Sequence, residues 1–154
     1  MKVKFPFVIS LLVMALFAAA CGGRPAAAGQ KDEPTASQAG PVQEMTSLVD
    51  ALRAAGATVE LGEPVEQAFF SVGGDILKVN GMDVQVFEYN SVEAMEADAI
   101  QVSDDGGSIG TSMVTWLAPP HFFKTGRILV LYVGDDQGIL KLLEGLLGPQ
   151  FAGR

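Results

Sequence analysis

From residue 44 onward, apolar positions recur at spacings that predict alternating helices and strands. A first helix is predicted over residues 44–55, and Gly56 supplies its stop. The residues of this helix that fall on one apolar face are Met45, Leu48, Val49 and Leu52. Two strands, residues 57–61 and 65–72, are predicted to follow, separated by a turn at 62–64.

The Asn80-Gly81 pair is the clearest turn signal in the chain. Both central positions of a two-residue type I′ turn need positive φ, which Asn and Gly tolerate. We therefore expect a hairpin between residues 75–79 and 82–89. The turn predicts three opposed pairs: Val79 with Met82, Lys78 with Asp83, and Leu77 with Val84. One face of this hairpin is apolar and needs a cover, for which amphipathic helices are available; its residues are Leu77, Val79, Met82, Val84 and Val86.

The same order, a pair of strands and then a helix, is predicted again further along the chain. Ser91 is a natural N-cap for the helix that follows the hairpin. Its predicted buried residues are Val92, Met95, Ala99 and Ile100. A second pair of strands is predicted at 111–118 and 127–133, and a last helix begins after Asp135 or Asp136. The apolar face of that helix, which ends at Gly148-Pro149, carries Ile139, Leu142, Leu143, Leu146 and Leu147.

These elements predict a single α+β domain over residues 44–154. The expected architecture is an antiparallel sheet of about five or six strands with helices packed on one face. A mixed sheet remains an alternative if residues 57–61 pair in parallel.

The first twenty residues have the pattern of a secretion signal. Lys2 and Lys4 precede sixteen residues, 5–20, that are apolar except for a proline and a serine. As a helix this run would span about 24 Å, short of the ~30 Å hydrocarbon core of a bilayer. A removable signal therefore fits better than a permanent membrane span.

The run ends in Ala18-Ala19-Ala20-Cys21-Gly22, which resembles the lipobox of bacterial lipoproteins. This resemblance covers about the first 23 residues, and it departs from the commonest pattern at Ala18, where leucine is usual. It implies that residues 1–20 are removed and that Cys21 carries a diacylglycerol and a further acyl chain such as palmitate. An ordinary cleavage after Ala20, leaving Cys21 free, is the alternative.

The resemblance also implies a location in the cell envelope. Gly22 is not aspartate, which implies sorting to the outer membrane in a Gram-negative host and to the outer face of the plasma membrane otherwise. Residues 21–43 are then the lipidated cysteine and a flexible linker, since 12 of the 22 residues from Gly22 onward are Gly, Pro or Ala. A random coil of that length reaches about 25 Å. A segment that folds on a partner is the alternative.

Charge and cysteine content exclude some function classes. The chain has 10 Lys+Arg and 18 Asp+Glu; residues 1–20 hold two of the lysines and no acid, so the mature chain carries −10. Nucleic acid is therefore not expected as a partner. A single cysteine excludes an intramolecular disulfide and a cysteine-rich metal site.

No catalytic, metal or cofactor site is predicted. The one histidine, His121, has no G-x-S-x-G motif to accompany it. Asp104-Asp105 and Asp135-Asp136 lack the alternating spacing of a calcium loop, and we expect a solvated turn for the first pair and a helix cap for the second.

The aromatic stretch 116–124 is the most interesting part of the domain. If it protrudes, it forms a contact surface for an envelope protein, made of Trp116, His121, Phe122, Phe123, Lys124 and Arg127. The alternative is that Phe122 and Phe123 close the core and that His121 is a satisfied hydrogen bonder. Pro119-Pro120 is expected at an edge, a bulge or a loop.

The expected function is a non-enzymatic binding or structural module, held to the bilayer through Cys21. A small-ligand or lipid-binding domain and an unrecognised envelope hydrolase are the alternatives. A Leu- and Val-lined cavity would favour the ligand-binding alternative. A cleft that brings His121 to a carboxylate or a serine would favour the hydrolase.

Overall fold

The computed structural model describes residues 41–154. The predicted signal peptide, Cys21 and residues 22–40 of the predicted linker lie outside the described residues. Within residues 41–154, no helix has the length and the apolar character needed to cross a membrane.

Three helices and a six-stranded antiparallel sheet make up the described domain. The elements in chain order are α1 (Met45–Ala54), β1 (Val59–Val65), β2 (Gly74–Val79), β3 (Met82–Glu88), α2 (Val92–Ala99), β4 (Ser108–Ile109), β5 (Ser112–Met113), β6 (Pro120–Thr125), β7 (Ile128–Val133), α3 (Gln137–Leu147) and β8 (Ala152–Gly153). The order in the large sheet is β1-β2-β3-β7-β6-β8, and β4 and β5 form a separate two-stranded sheet. The predicted α+β class and antiparallel sheet are confirmed.

Strand β7 is buried on both sides, so the core has two layers. Its alternate residues point to opposite faces of the sheet. Ile128, Val130 and Tyr132 pack with α1 and α3, whereas Leu129 and Leu131 pack with α2 and the loops around it. Two helices thus share one face, and α2 lies on the other.

The predicted hairpin is confirmed in its turn and its register. Asn80 and Gly81 both adopt positive φ, 51° and 83°. Val79 faces Met82, Lys78 faces Asp83, and Leu77 faces Val84, as expected. Met82 is nevertheless exposed, because it sits at the tip of the hairpin beyond the helices.

The two strands predicted at 57–61 and 65–72 are wrong. One strand, β1, runs straight through the predicted turn, with a bulge between Leu61 and Pro64. Pro64 is tolerated because β1 is the edge strand of the sheet, where a missing N–H is not needed by a further neighbour.

The strand predicted at 111–118 is also wrong. The partner of β7 is β6, which begins at Pro120 and lies inside the aromatic stretch. Proline can open a strand because the first position can do without a ladder N–H. Only Ser112 and Met113 of the predicted strand are extended, in the small β4–β5 hairpin.

The helix caps lie where the sequence predicts them, but the buried face of α2 differs from the prediction. Ser91 Oγ accepts from Ala94 N at 3.2 Å, and Asp136 Oδ1 accepts from Gly138 N at 2.8 Å, so both predicted caps are confirmed. Met95 and Ala99 are buried as predicted, whereas Val92 and Ile100 are exposed. The third buried residue of α2 is Asp98.

Packing begins two residues before the predicted boundary of the domain. Val42 is buried in the core beside α1, and Gln43 O accepts a hydrogen bond of 2.9 Å from Arg127 N. Gly126, with φ +52°, allows this close approach because a Cβ there would overlap the Gln43 backbone. Val42 and Gln43, the last two residues of the predicted linker 21–43, therefore contact the domain.

Candidate functional site

The exposed patch that a protruding stretch would form around Phe122 and Phe123 is absent from the described domain, and the alternative, in which both rings close the core, is confirmed. Both rings are fully buried and point to opposite faces of the sheet, Phe123 toward α1 and α3 and Phe122 toward Trp116. The two rings lie on opposite faces because Phe122 and Phe123 are successive residues of β6, and successive side chains of a strand point to opposite faces of the sheet. These two residues belong to the core and offer nothing to a partner.

His121 is buried with both ring nitrogens engaged. Nδ1 lies 2.7 Å from Oε1 of Gln150, and Nε2 lies 3.0 Å from the carbonyl oxygen of Gly134. The ring also stacks on Tyr132, with the planes 21° apart. These partners are an amide and a backbone carbonyl, so the pairing of His121 with a carboxylate or a serine that would favour a hydrolase is not seen here.

Lys124 and Arg127 form ion pairs within the domain. Lys124 Nζ pairs with Glu96 of α2. Arg127 pairs with Glu44 before α1 and with Glu88 at the end of β3. The hydrogen bond to Glu44, with the nearby Glu88 charge, raises the pKa of Arg127. Both cations therefore hold helices against the sheet.

Trp116 of the predicted patch lines an open cleft. The cleft has a volume of about 410 Å³. Its lining residues are Asp105, Gly107, Val114, Thr115, Trp116, Ala118, Pro119, Pro120 and Arg154. We call it the Trp116 cleft. Its size lies within the usual range for ligand-binding clefts in proteins.

The indole of Trp116 is held in place from several sides. Nε1 donates a hydrogen bond of 2.7 Å to the carbonyl oxygen of Gly106. The ring meets Phe69 and Phe122 edge to face, with centroids 6.2 and 5.9 Å away. Gly106, with φ +67°, makes this packing possible, since a Cβ there would overlap Phe122. The side chain is half-buried, which leaves part of the indole facing the cleft.

Asp105 presents at the cleft a carboxylate oxygen, Oδ2, that accepts no hydrogen bond from residues 41–154. Its Oδ1 accepts from Ser103 Oγ at 2.8 Å and from Gly107 N at 2.9 Å. These two bonds, that of Gly107 first, lower the pKa of Asp105. Its Oδ2 lies 3.8 Å from Nη2 of Arg154. The expectation of a solvated turn at Asp104-Asp105 is confirmed, and the turn also forms one wall of the cleft.

Two large apolar side chains are exposed in the chain segment that contains Trp116. Met113 is 92% exposed and Leu117 is fully exposed. Both lie in the segment between β4 and β6 that contains Val114 and Trp116, two residues that pack against the core. Single exposed apolar residues are ordinary, whereas larger exposed apolar patches mark contact surfaces.

Asp98 is a buried carboxylate that the sequence pattern did not predict. Its Oδ2 accepts from Ser71 N, Ser71 Oγ and Tyr89 Oη, at 2.7, 2.8 and 2.9 Å. Burial and the bond to Asp98 raise the pKa of Tyr89. The sequence does contain one sign that Asp98 is buried. Asp98 follows Met95 by three residues, which places it on the buried face of α2.

A smaller pocket of about 240 Å³ lies between α1 and β1. Its lining residues are Met45, Thr46, Val49, Asp50, Arg53 and Leu61. Within residues 41–154, no group of three or more His, Cys, Asp and Glu side chains is arranged to hold a metal ion.

No protein-family model matches this chain, and comparisons with curated proteins and with solved structures found no match.

Proposed function

We propose that this protein is a lipoprotein of the bacterial cell envelope that binds a protein partner and catalyses no reaction. Acylated Cys21 would hold it to the bilayer, at the outer membrane in a Gram-negative host and otherwise at the outer face of the plasma membrane. The Trp116 cleft, together with Met113 and Leu117, would be its contact surface. The likeness of residues 18–21 to a lipobox supports the anchor.

The observation that carries the binding role is the exposure of Met113 and Leu117 in the segment that also contributes Trp116 to the cleft. Burying such side chains against a partner gains about 25 cal/mol for each Å² of apolar surface removed from water. The indole next to them is already fixed by Gly106 and two phenylalanines, so little entropy is lost when a partner contacts it.

The two alternative functions have less support among the described residues. The Trp116 cleft is open to solvent and lined by charged, aromatic and proline residues, unlike a cavity lined by Leu and Val. His121, the natural base for a hydrolase, is buried between Gln150 and Gly134.

The contact surface is tested by site-specific photocrosslinking of the full-length protein in its native cells. A benzoylphenylalanine replaces Leu117 or Met113, and matched controls carry it at Leu61 or Ile100, which are 71% and 79% exposed and lie outside the cleft. We expect a discrete crosslinked protein from positions 113 and 117 only. No crosslink at these positions, or the same crosslinks from the controls, would overturn the proposed surface.

The anchor is tested by metabolic labelling with a clickable palmitate analogue. The wild-type protein should be labelled, and Cys21→Ser should abolish the label and leave the precursor uncleaved. Labelling that persists in Cys21→Ser, or a wild-type protein without label, would contradict the lipoprotein assignment.

A further inference from the structure

We propose that the Trp116 cleft binds a cationic side chain, arginine or lysine, on an extended segment of the protein partner. Asp105 is the acceptor for this cation, and Arg154 is the internal group that the ligand displaces. This inference rests on the proposed function, because it names the chemistry of the partner that the same cleft would bind.

Asp105 is prepared to accept a cation. The two bonds to Oδ1, from Ser103 and Gly107, fix the carboxylate in one orientation. Among the residues that the structure describes, Oδ2 accepts no hydrogen bond, and Nη2 of Arg154 lies 3.8 Å from it. Once a donor replaces Arg154, a carboxylate that is already held in one orientation forms a strong charge-assisted hydrogen bond with it, because the carboxylate itself need not turn.

Arg154 places a guanidinium near Asp105 but forms only a loose ion pair with it. The backbone N–H of Arg154 donates a hydrogen bond of 3.0 Å to the carbonyl oxygen of Pro120, and this bond holds Arg154 at the edge of the cleft. Nη2 of Arg154 lies 3.8 Å from Oδ2 of Asp105. The Arg154 side chain is 73% exposed and the Asp105 side chain is 59% exposed. Such an exposed pair contributes little stability, so a ligand cation can replace it.

Trp116 gives the cleft an aromatic wall near that carboxylate. Arginine and lysine are attracted to the faces of aromatic rings, and tryptophan is the best of these. The indole and Asp105 both line the cleft. A cation held between an aromatic ring and a carboxylate gains from both groups at once.

The charge of the whole domain favours the same ligand. Residues 41–154 contain six Lys and Arg and sixteen Asp and Glu, a net charge of −10. A field of this sign attracts basic segments, repels acidic ones and speeds the encounter with a cationic partner.

Trp116 is the only tryptophan of the chain, so its fluorescence reports on the cleft directly. Full-length protein in neutral detergent is titrated with the peptide acetyl-Ala-Ala-Arg-Ala-Ala-amide. The same peptide with lysine, with citrulline or with glutamate at the centre serves for comparison. We expect saturable changes in emission with arginine and lysine that weaken as salt is added. Citrulline, the uncharged analogue of arginine, and glutamate should give none.

Three variants test the roles of the two charged residues. Asp105→Asn keeps an oxygen for Ser103 and Gly107 but removes the charge, and should weaken arginine-peptide binding about tenfold. Asp135→Asn, an exposed acid outside the cleft, makes the same change in net charge and should leave binding within about twofold. Arg154→Gln removes the competitor and should tighten binding about two- to fivefold.

Equal binding of the arginine and citrulline peptides, or unchanged binding in Asp105→Asn, would overturn this inference. So would weaker arginine binding in Arg154→Gln, because Arg154 would then contribute to the site. Crosslinking at Leu117 separates the two proposals. If those crosslinks persist while arginine shows no preference, only the cationic specificity fails.

Discussion

The phenol of Tyr89 donates a hydrogen bond of 2.9 Å to Oδ2 of Asp98, and both side chains are almost completely buried. The same oxygen accepts two bonds from Ser71, which follows Phe69 and Phe70 in the chain. Asp98 therefore fastens this loop to α2 and to the end of β3. A carboxylate in an apolar layer is tolerated when donors of this kind surround it.

Removing this carboxylate should destabilise the domain strongly. Asp98→Ala leaves the Tyr89 hydroxyl and the Ser71 N–H without their acceptor, and we expect the free energy of unfolding to fall by about 2–4 kcal/mol. Tyr89→Phe removes one donor only and should cost about 1 kcal/mol. Urea denaturation followed by circular dichroism measures both.

Asp50→Ala, on the exposed side of α1, is the control, with an expected change of about 0.5 kcal/mol or less. If Asp98→Ala changes the free energy of unfolding no more than Asp50→Ala does, Asp98 does not hold the loop.

The raised pKa of Tyr89 predicts a loss of stability in alkali. In the unfolded chain a tyrosine releases its proton near pH 10. Folded Tyr89 keeps its proton above that pH, because burial and Asp98 disfavour the phenolate. The folded state then binds more protons, so its stability falls as the pH rises above about 10. Urea midpoints from pH 8 to 11 should decline more steeply for the wild type than for Tyr89→Phe, and equal slopes would contradict the assignment.

An element of the fold can be predicted from the sequence when it is determined by residues adjacent in the chain, and not when it depends on strands that are distant in the sequence. Asn80-Gly81 and Asp136 act on their own turn or helix end, and both predictions are confirmed. The start of β6 at Pro120 depends on β7 and β8, its neighbours in space, and sequence spacing alone did not find it.

The candidate site, too, is predictable from the sequence only in its local part. The sequence pointed to the stretch around Trp116, but the cleft also needs Asp105 and Arg154, which lie 11 and 38 residues away from Trp116 in the chain. Their meeting follows from β8 pairing with β6, and β8 is only two residues long. Such a short strand has no periodicity to detect.

The burial of Phe122 and Phe123 predicts that substitutions at either residue lower the stability of the domain. Phe122→Ala or Phe123→Ala should each lower the free energy of unfolding by about 3–5 kcal/mol, because each opens a cavity in one layer of the core. Leu117→Ala, fully exposed in the same stretch, should change it by about 0.5 kcal/mol or less. Thermal melts of the three variants measure this, and melting temperatures near the wild type for both phenylalanine variants would place the rings outside the core.

Gly126 should control the attachment of the residues before α1. A Cβ at this position would overlap the backbone of Gln43, and φ is +52°. Gly126→Ala should therefore push away Val42 and Gln43, with the loss of the Thr125 Oγ1 bond to Val42 O and of the Arg127 N bond to Gln43 O. We expect a cost of about 1–3 kcal/mol and faster proteolysis before α1.

Gly145→Ala is the matched control for this substitution. Gly145 lies in α3, and a Cβ there meets nothing within 4 Å. Alanine should stabilise that helix by up to about 1 kcal/mol. If Gly126→Ala is as stable as the wild type and is cleaved no faster, the close approach of Gln43 is not a constraint on the fold.

The lowered pKa of Asp105 predicts a change at Trp116 in acid. The bonds from Gly107 and Ser103 are stronger to the ionised carboxylate than to the neutral carboxyl, so they weaken as the pH falls through the lowered pKa of Asp105, below the usual value of about 3.9. Gly106, between Asp105 and Gly107, holds the indole N–H, so the turn and the ring should loosen together. Trp116 emission, recorded from pH 6 to pH 2, should show a step in acid that precedes the loss of far-UV circular dichroism. Asp135→Asn should keep this step and Asp105→Asn should lose it, since an amide has no proton to gain; a step that survives in Asp105→Asn would assign it to another carboxylate.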